Sequence, residues 1–156
     1  MSGRKPSLRG LIPQKVDTYG IEAFGYDEDL LEFNGDWLHD QLQVEMLCFR
    51  IGHTREFGGR GKFGHFKRIV DLTWNNPDMD CPKRFVWNPW AEKMLREACR
   101  SGCEELGVAG PTSAGKSDPF ALWVAVNYMV DPTHVKGLIM STTIQGAKLR
   151  GWKTFR

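Results

Sequence analysis

Eight consecutive residues, Gly110-Pro111-Thr112-Ser113-Ala114-Gly115-Lys116-Ser117, carry the spacing Gly-x-x-x-x-Gly-Lys-Ser of a loop that wraps phosphate groups. Each residue type has a physical reason to be there. Gly110 and Gly115 lack a Cβ, so the chain can take positive φ and bring its backbone close to phosphate oxygens. Amides from Ser113 to Ser117 would then converge on a β-phosphate at the positive end of a helix dipole. Lys116 would bridge β- and γ-phosphate oxygens, and the Ser117 hydroxyl would ligate Mg2+ bound with ATP. The plain alternative is a Gly/Ser turn followed by a surface lysine.

Chemistry of this kind needs elements on both sides of the loop. Leu106-Gly107-Val108-Ala109 is a short apolar run that predicts a buried strand, and Phe120 to Val130 is apolar over a helical length. Pro119 falls in the first helical turn, where a missing N–H costs nothing. Asp131-Pro132-Thr133-His134 reads as a turn, Val135 to Met140 as a second buried strand ending at Ser141-Thr142-Thr143, and Gln145 to Phe155 as another helix. That last helix carries Lys148, Arg150 and Lys153 without acids. Two strands joined by a helix predict a right-handed crossover in a parallel sheet. Thr142 and Thr143 would then lie at its carboxyl edge beside the loop, where open α/β sheets bind ligands. The expected fold class is α/β, an incomplete parallel sheet of the phosphate-loop NTPase type preceded by a mostly helical amino-terminal region.

Ahead of the loop, Asn88 followed by Pro89 predicts a capped helix with Trp90, Met94, Leu95, Ala98 and Cys99 on its apolar face, ending at Ser101-Gly102. Trp87 and Trp90 are placed either to stack on an adenine base or to pack that helix. Asp36 is positioned to cap a helix running to about Arg50. Gly58 to Gly64 contains a Gly-x-Gly-x-x-Gly match with no strand leading into it, so a flexible basic loop is expected there, with Arg60 and Lys62 available to nucleic-acid phosphate. Phe66 to Trp74 reads as a short helix or strand, broken at Asn75-Asn76-Pro77-Asp78. Three regions result: a flexible tail over 1–14, a mostly helical region over 15–82, and the start of an ATPase domain over 83–156.

The 156 residues suit one domain, with a formal net charge of +2. Charge is segregated: Asp17 to Glu45 holds no Lys or Arg, whereas Arg50, Arg55, Arg60, Lys62, Lys67 and Arg68 face only Glu56. This predicts mutual attraction of two elements, a basic face for a polyanion, or simply a solvated, self-complementary surface. Cys48, Cys81, Cys99 and Cys103 form no C-x-x-C pair, so reduced thiols are expected, and no recognised spacing supports zinc with His53 or His65. The opening residues lack the apolar segment of a signal peptide, and the longest apolar run is too short to span a bilayer. An intracellular protein without a membrane partner is expected.

From Gly107 to Asp118, the chain resembles the start of the ATPase domain of a tailed-phage terminase large subunit, the motor that packages viral DNA. The resemblance extends to Met140-Ser141-Thr142-Thr143 and to Ala147-Lys148-Leu149-Arg150-Gly151-Trp152. Trp87-Asn88-Pro89-Trp90 to Leu95 resembles the segment ahead of the loop that contacts the base in such motors. Together these cover about the last 70 residues. The resemblance implies ATP and Mg2+ as ligands, double-stranded DNA as substrate, and portal protein and small terminase subunit as partners. It also implies a possible homo-oligomer and the cytoplasm of an infected bacterial cell. Thr142, Thr143, Lys148 and Arg150 would contact DNA or couple hydrolysis to movement; a helicase-like translocase would use the same residues on a DNA or RNA backbone. A third reading is a non-catalytic nucleotide- or DNA-binding remnant. Pro111 to Ala114 lack the arginine many terminases carry in this loop. No apolar strand ending in Asp-Glu follows before Arg156, so the magnesium-holding Asp and the catalytic Glu are not in the chain, and an amino-terminal piece of a longer protein is expected.

Overall fold

A computed structural model of the chain describes residues 15–19, 31, 33–52, 61–78, 84–109, 115–137 and 145. Its elements in order are α1 (Trp37–Arg50), α2 (Gly61–Thr73), α3 (Pro89–Ala98) and α4 (Ser117–Val130).

Local chemistry accounts for the helix boundaries. Asp36 takes extended geometry and its carboxylate accepts the Leu38 N–H, so α1 starts where the capping residue requires. Asp40 in the first turn reaches back to accept the N–H groups of Asn34 at 2.9 Å and Gly35 at 3.1 Å. Burial raises its pKa, but the Asn34 amide, the His39 ring and the Gly35 amide outweigh that and hold the carboxyl below its ordinary value. Asn88 caps α3 by accepting the Ala91 N–H at 2.9 Å, with Pro89 as the first helical residue. Replacing Asn88 by alanine is expected to cost about 1 kcal/mol. Chemical denaturation checks this, and an unchanged midpoint would mean that the cap does not support the helix.

The glycine-rich stretch departs from the expected loop. Residues 57–60 lie outside the described residues, but α2 begins at Gly61, with φ +64°, and runs through Gly64. Glycine inside a helix costs about 1 kcal/mol relative to alanine. Burial of Phe63, Phe66, Ile69 and Val70 on one face of α2 exceeds that cost. The Phe66–Trp74 segment is therefore helical up to Thr73, and the chain leaves the helix at Trp74 and Asn75, whose amides both reach the Val70 carbonyl.

One apolar cluster joins all four helices, with Phe49 from α1, Phe66 and Ile69 from α2, Leu95 from α3 and Leu122 and Val126 from α4. Phe49, Phe66 and Trp123 form an aromatic triangle with centroids 5.4 to 5.9 Å apart. A second, smaller cluster around Val44 and Cys48 takes in Val16, Tyr19, Leu31, Leu47 and Ile51.

The expected parallel sheet is overturned: the described residues form helices and no strand. Leu106 and Val108 are half-buried against the helical cluster, while the alternating residues Gly107 and Ala109 are exposed. That is a one-sided apolar contact, whereas a strand of a parallel sheet is covered on both faces and bonded to a neighbour. In the second expected strand, residues 135–137 have no strand geometry, and 138–140 lie outside the described residues. The described part of that segment instead rests on α4. A Cβ at Gly137 would stand 2.7 Å from the Val124 Cγ1, so this approach requires glycine. Among the described residues, no helix is long and apolar enough to cross a membrane.

Several cations of the basic stretch are used internally. Lys67 pairs with Glu92 at 2.9 Å and lies over the Trp87 ring, and Lys62 lies over Phe49. Neither Glu92 nor Phe49 belongs to the acidic 17–45 stretch, so these two cations are engaged without pairing the segregated charges.

Candidate phosphate-binding site

Gly115, Lys116 and Ser117 are the described residues of the phosphate-loop motif; Gly110 to Ala114 lie outside. Gly115 has φ +70° and open space where a Cβ would stand. Positive φ is the conformation for which the motif's second glycine was expected, since a side chain there would be strained. Lys116 follows at φ −62° and ψ −31° and is the last residue before α4, which opens on Ser117. The motif therefore feeds straight into a helix amino terminus.

The first turn of α4 has the features of an anion-accepting end. Lys116 makes no side-chain capping bond to the helix, and the Phe120 N–H meets the Lys116 carbonyl only at 3.5 Å. First-turn amides have no partner within the helix itself. Pro119, buried, removes one of those donors, and Asp118 adds a carboxylate in the same turn. That carboxylate opposes a bare phosphate and is compatible with one that carries Mg2+. Gly115 and Ser117 are exposed, so the approach to the helix end is open on their side. On these observations the described residues fit a magnesium-bound phosphate: Lys116 and the amides would hold the anion, and the Ser117 hydroxyl the metal.

Below this end lies a cavity of about 220 Å³ lined by α3, the 103–106 segment, Phe120 and Trp123. Cys103 stands in its wall, half-exposed. Burial pushes the Cys99 thiol up to about 12; Lys62 and Arg96 oppose the shift and Cys103 adds to it. Burial likewise raises Cys48 to about 12, helped by Glu45 and Asp17. Alkylation by iodoacetamide in a Cys81→Ser chain at about pH 8 should label Cys103 at least about a hundredfold faster than either buried thiol. Equal rates at Cys99 and Cys103 would contradict the packing of the α3 carboxyl end.

The two tryptophans proposed for base stacking are placed differently from each other. Trp87 donates its indole N–H to Asp71 at 3.0 Å and meets Phe85 and Phe63 edge-on, so its ring locks the approach of α3 to α2. Trp90 is 36 % exposed on the first turn of α3. Thr142, Thr143, Lys148 and Arg150 lie outside the described residues. No group of three or more metal-ligating side chains occurs among the described residues, and His65 is bonded to Glu45.

Sequence reasoning passed over a buried polar cluster between α1 and α2. Glu45 and His65 are both fully buried, with His65 Nδ1 2.7 Å from Glu45 Oε2. The other carboxylate oxygen accepts from the Tyr19 hydroxyl at 2.5 Å and from Gln41 at 3.3 Å. A faint signal was present: Gln41 and Glu45 are polar residues one helical turn apart, next to Val44 and Cys48 of the apolar face. No protein-family model, curated protein or solved structure matches the chain.

Proposed function

We propose that the chain binds ATP with Mg2+ through Gly110 to Ser117, as the ATP-binding portion of a DNA-packaging motor of the terminase large-subunit type. The observation that supports this reading is Gly115 at φ +70° immediately before a helix that opens on Lys116-Ser117. Lys116 supplies a fixed positive charge to the β- and γ-phosphates, and the loop amides orient them. Ser117 holds the metal, which neutralises the phosphate charge when bound. Turnover further requires an acid that orients the attacking water. In the whole motor, hydrolysis would drive double-stranded DNA past Thr142, Thr143, Lys148 and Arg150. Portal protein and small terminase subunit are the partners, and the cytoplasm of an infected bacterium is the location.

A non-catalytic nucleotide- or DNA-binding remnant is the second reading. It is favoured by the helical surroundings of the loop among the described residues, since no strand there leads into Gly110. Equilibrium titration with a fluorescent ATP analogue, wild type against Lys116→Ala, tests the shared premise. Equal affinities would remove both nucleotide readings. Addition of Mg2+ should tighten binding to the wild type, and less so to Ser117→Ala.

A further inference from the structure

We infer that residues 15–19 form a releasable strap over α1, latched by Tyr19 in competition with Arg68 for one oxygen of Glu45. The inference is independent of nucleotide binding.

The strap lies along one stripe of α1. The Trp37 indole donates to the Lys15 carbonyl at 3.3 Å. Gln41 exchanges two bonds with Asp17, accepting its N–H at 2.8 Å and donating to its carbonyl at 3.1 Å. Glu45 accepts the Tyr19 hydroxyl at 2.5 Å. Trp37, Gln41 and Glu45 are four apart, a rise of about 6 Å per step along a helix. Lys15, Asp17 and Tyr19 are two apart, about 6.6 Å per step while the chain is extended, and at Tyr19 it turns, with φ +54° and its N–H donated to Asp17 Oδ1 at 3.1 Å. The two repeats match, so each turn of the helix meets every second residue of the strap.

What makes the latch two-state is the cation it displaces. Arg68 Nε stands 3.9 Å from Glu45 Oε1, beyond hydrogen-bond reach, and is the buried side-chain polar atom among the described residues that has no hydrogen-bond partner. The oxygen it faces is already taken by Tyr19 and Gln41. Leaving a buried donor unmet is costly, and pairing it with a carboxylate is favourable. If Tyr19 withdraws, Arg68 can close on the vacated oxygen, so the open strap recovers a bond in place of the one it loses. Apolar contacts of Val16 and Tyr19 with the Val44–Cys48 cluster oppose opening. A balance of this kind sets two populated arrangements rather than one rigid one.

Hydrogen exchange of the full chain, read on peptides spanning 15–19, tests the competition. Tyr19→Phe should speed exchange there by roughly tenfold, the loss of one bond to a charged acceptor, while α3 and α4 keep wild-type rates. Arg68→Met removes the competing donor and should slow exchange in the strap several-fold. A merely structural Arg68 would leave that rate unchanged or raise it, and either result overturns the inference, as would an unchanged rate in Tyr19→Phe. Should Tyr19→Phe exchange rapidly throughout the chain, the direction of the Arg68→Met effect still decides.

Discussion

Replacing His65 by leucine is expected to destabilise the chain by about 3 kcal/mol, the largest loss we predict for a residue outside the apolar cluster. His65 is completely buried and its Nδ1 meets a completely buried carboxylate. Nδ1 is the ring nitrogen that meets the Glu45 carboxyl, and it donates wherever that carboxyl is ionised. Without the imidazole, Glu45 Oε2 loses its 2.7 Å partner while the charge stays away from water. Tyr19 and Gln41 remain on the other oxygen, which places the expected loss toward the lower end for broken buried pairs. Adding Glu45→Gln to His65→Leu removes the buried charge and should restore at least about 1 kcal/mol. Urea denaturation of the two variants checks both statements. A single variant within about 1 kcal/mol of wild type would mean that the pair is not buried as described.

The second large effect concerns nucleotide affinity. Lys116→Ala is expected to weaken ATP binding by about 10- to 100-fold, the consequence of losing charge-assisted bonds worth about 1.5–3 kcal/mol. The denaturation midpoint, measured beside affinity, separates ligand contact from a role at the start of α4, which Lys116 directly precedes. That separation is diagnostic: affinity lost with the denaturation midpoint preserved points to ligand contact. Loss of both together would instead place Lys116 in the architecture of the helix start. Affinity that is unchanged would leave Gly115 as a helix-entry glycine and nothing more.

The helices with strong local signals were legible in the sequence. Asp36 before Trp37 and Asn88 before Pro89 place side-chain acceptors where first-turn amides need them, and both caps form. Such signals act within one turn, so no distant residue has to be known. The apolar run ending at Val130 is likewise a helix, and the glycine-lysine-serine sequence does open it.

Where the sequence misled, the deciding term was packing between elements. Gly58 to Gly64 looked like a loop because glycine lowers local helix preference, yet α2 runs through Gly61 and Gly64. Phe63 and Phe66 bury against α1, α3 and α4, and no reading of the stretch alone contains those partners. The 106–109 run looked like a strand because it is short and apolar. A strand exists only if a neighbour bonds to it, and here the run lies against helices instead.

The same division holds for the sites. Motif spacing alone placed a lysine and a serine at a helix entry, since positions three or fewer residues apart are tied by covalent geometry. Only the tertiary structure could bring Tyr19, Glu45, His65 and Arg68 together, or give Trp87 to Asp71 rather than leave its ring open. Those contacts span 16 to 26 residues, and they form because burying a polar group demands a partner wherever along the chain one can be found.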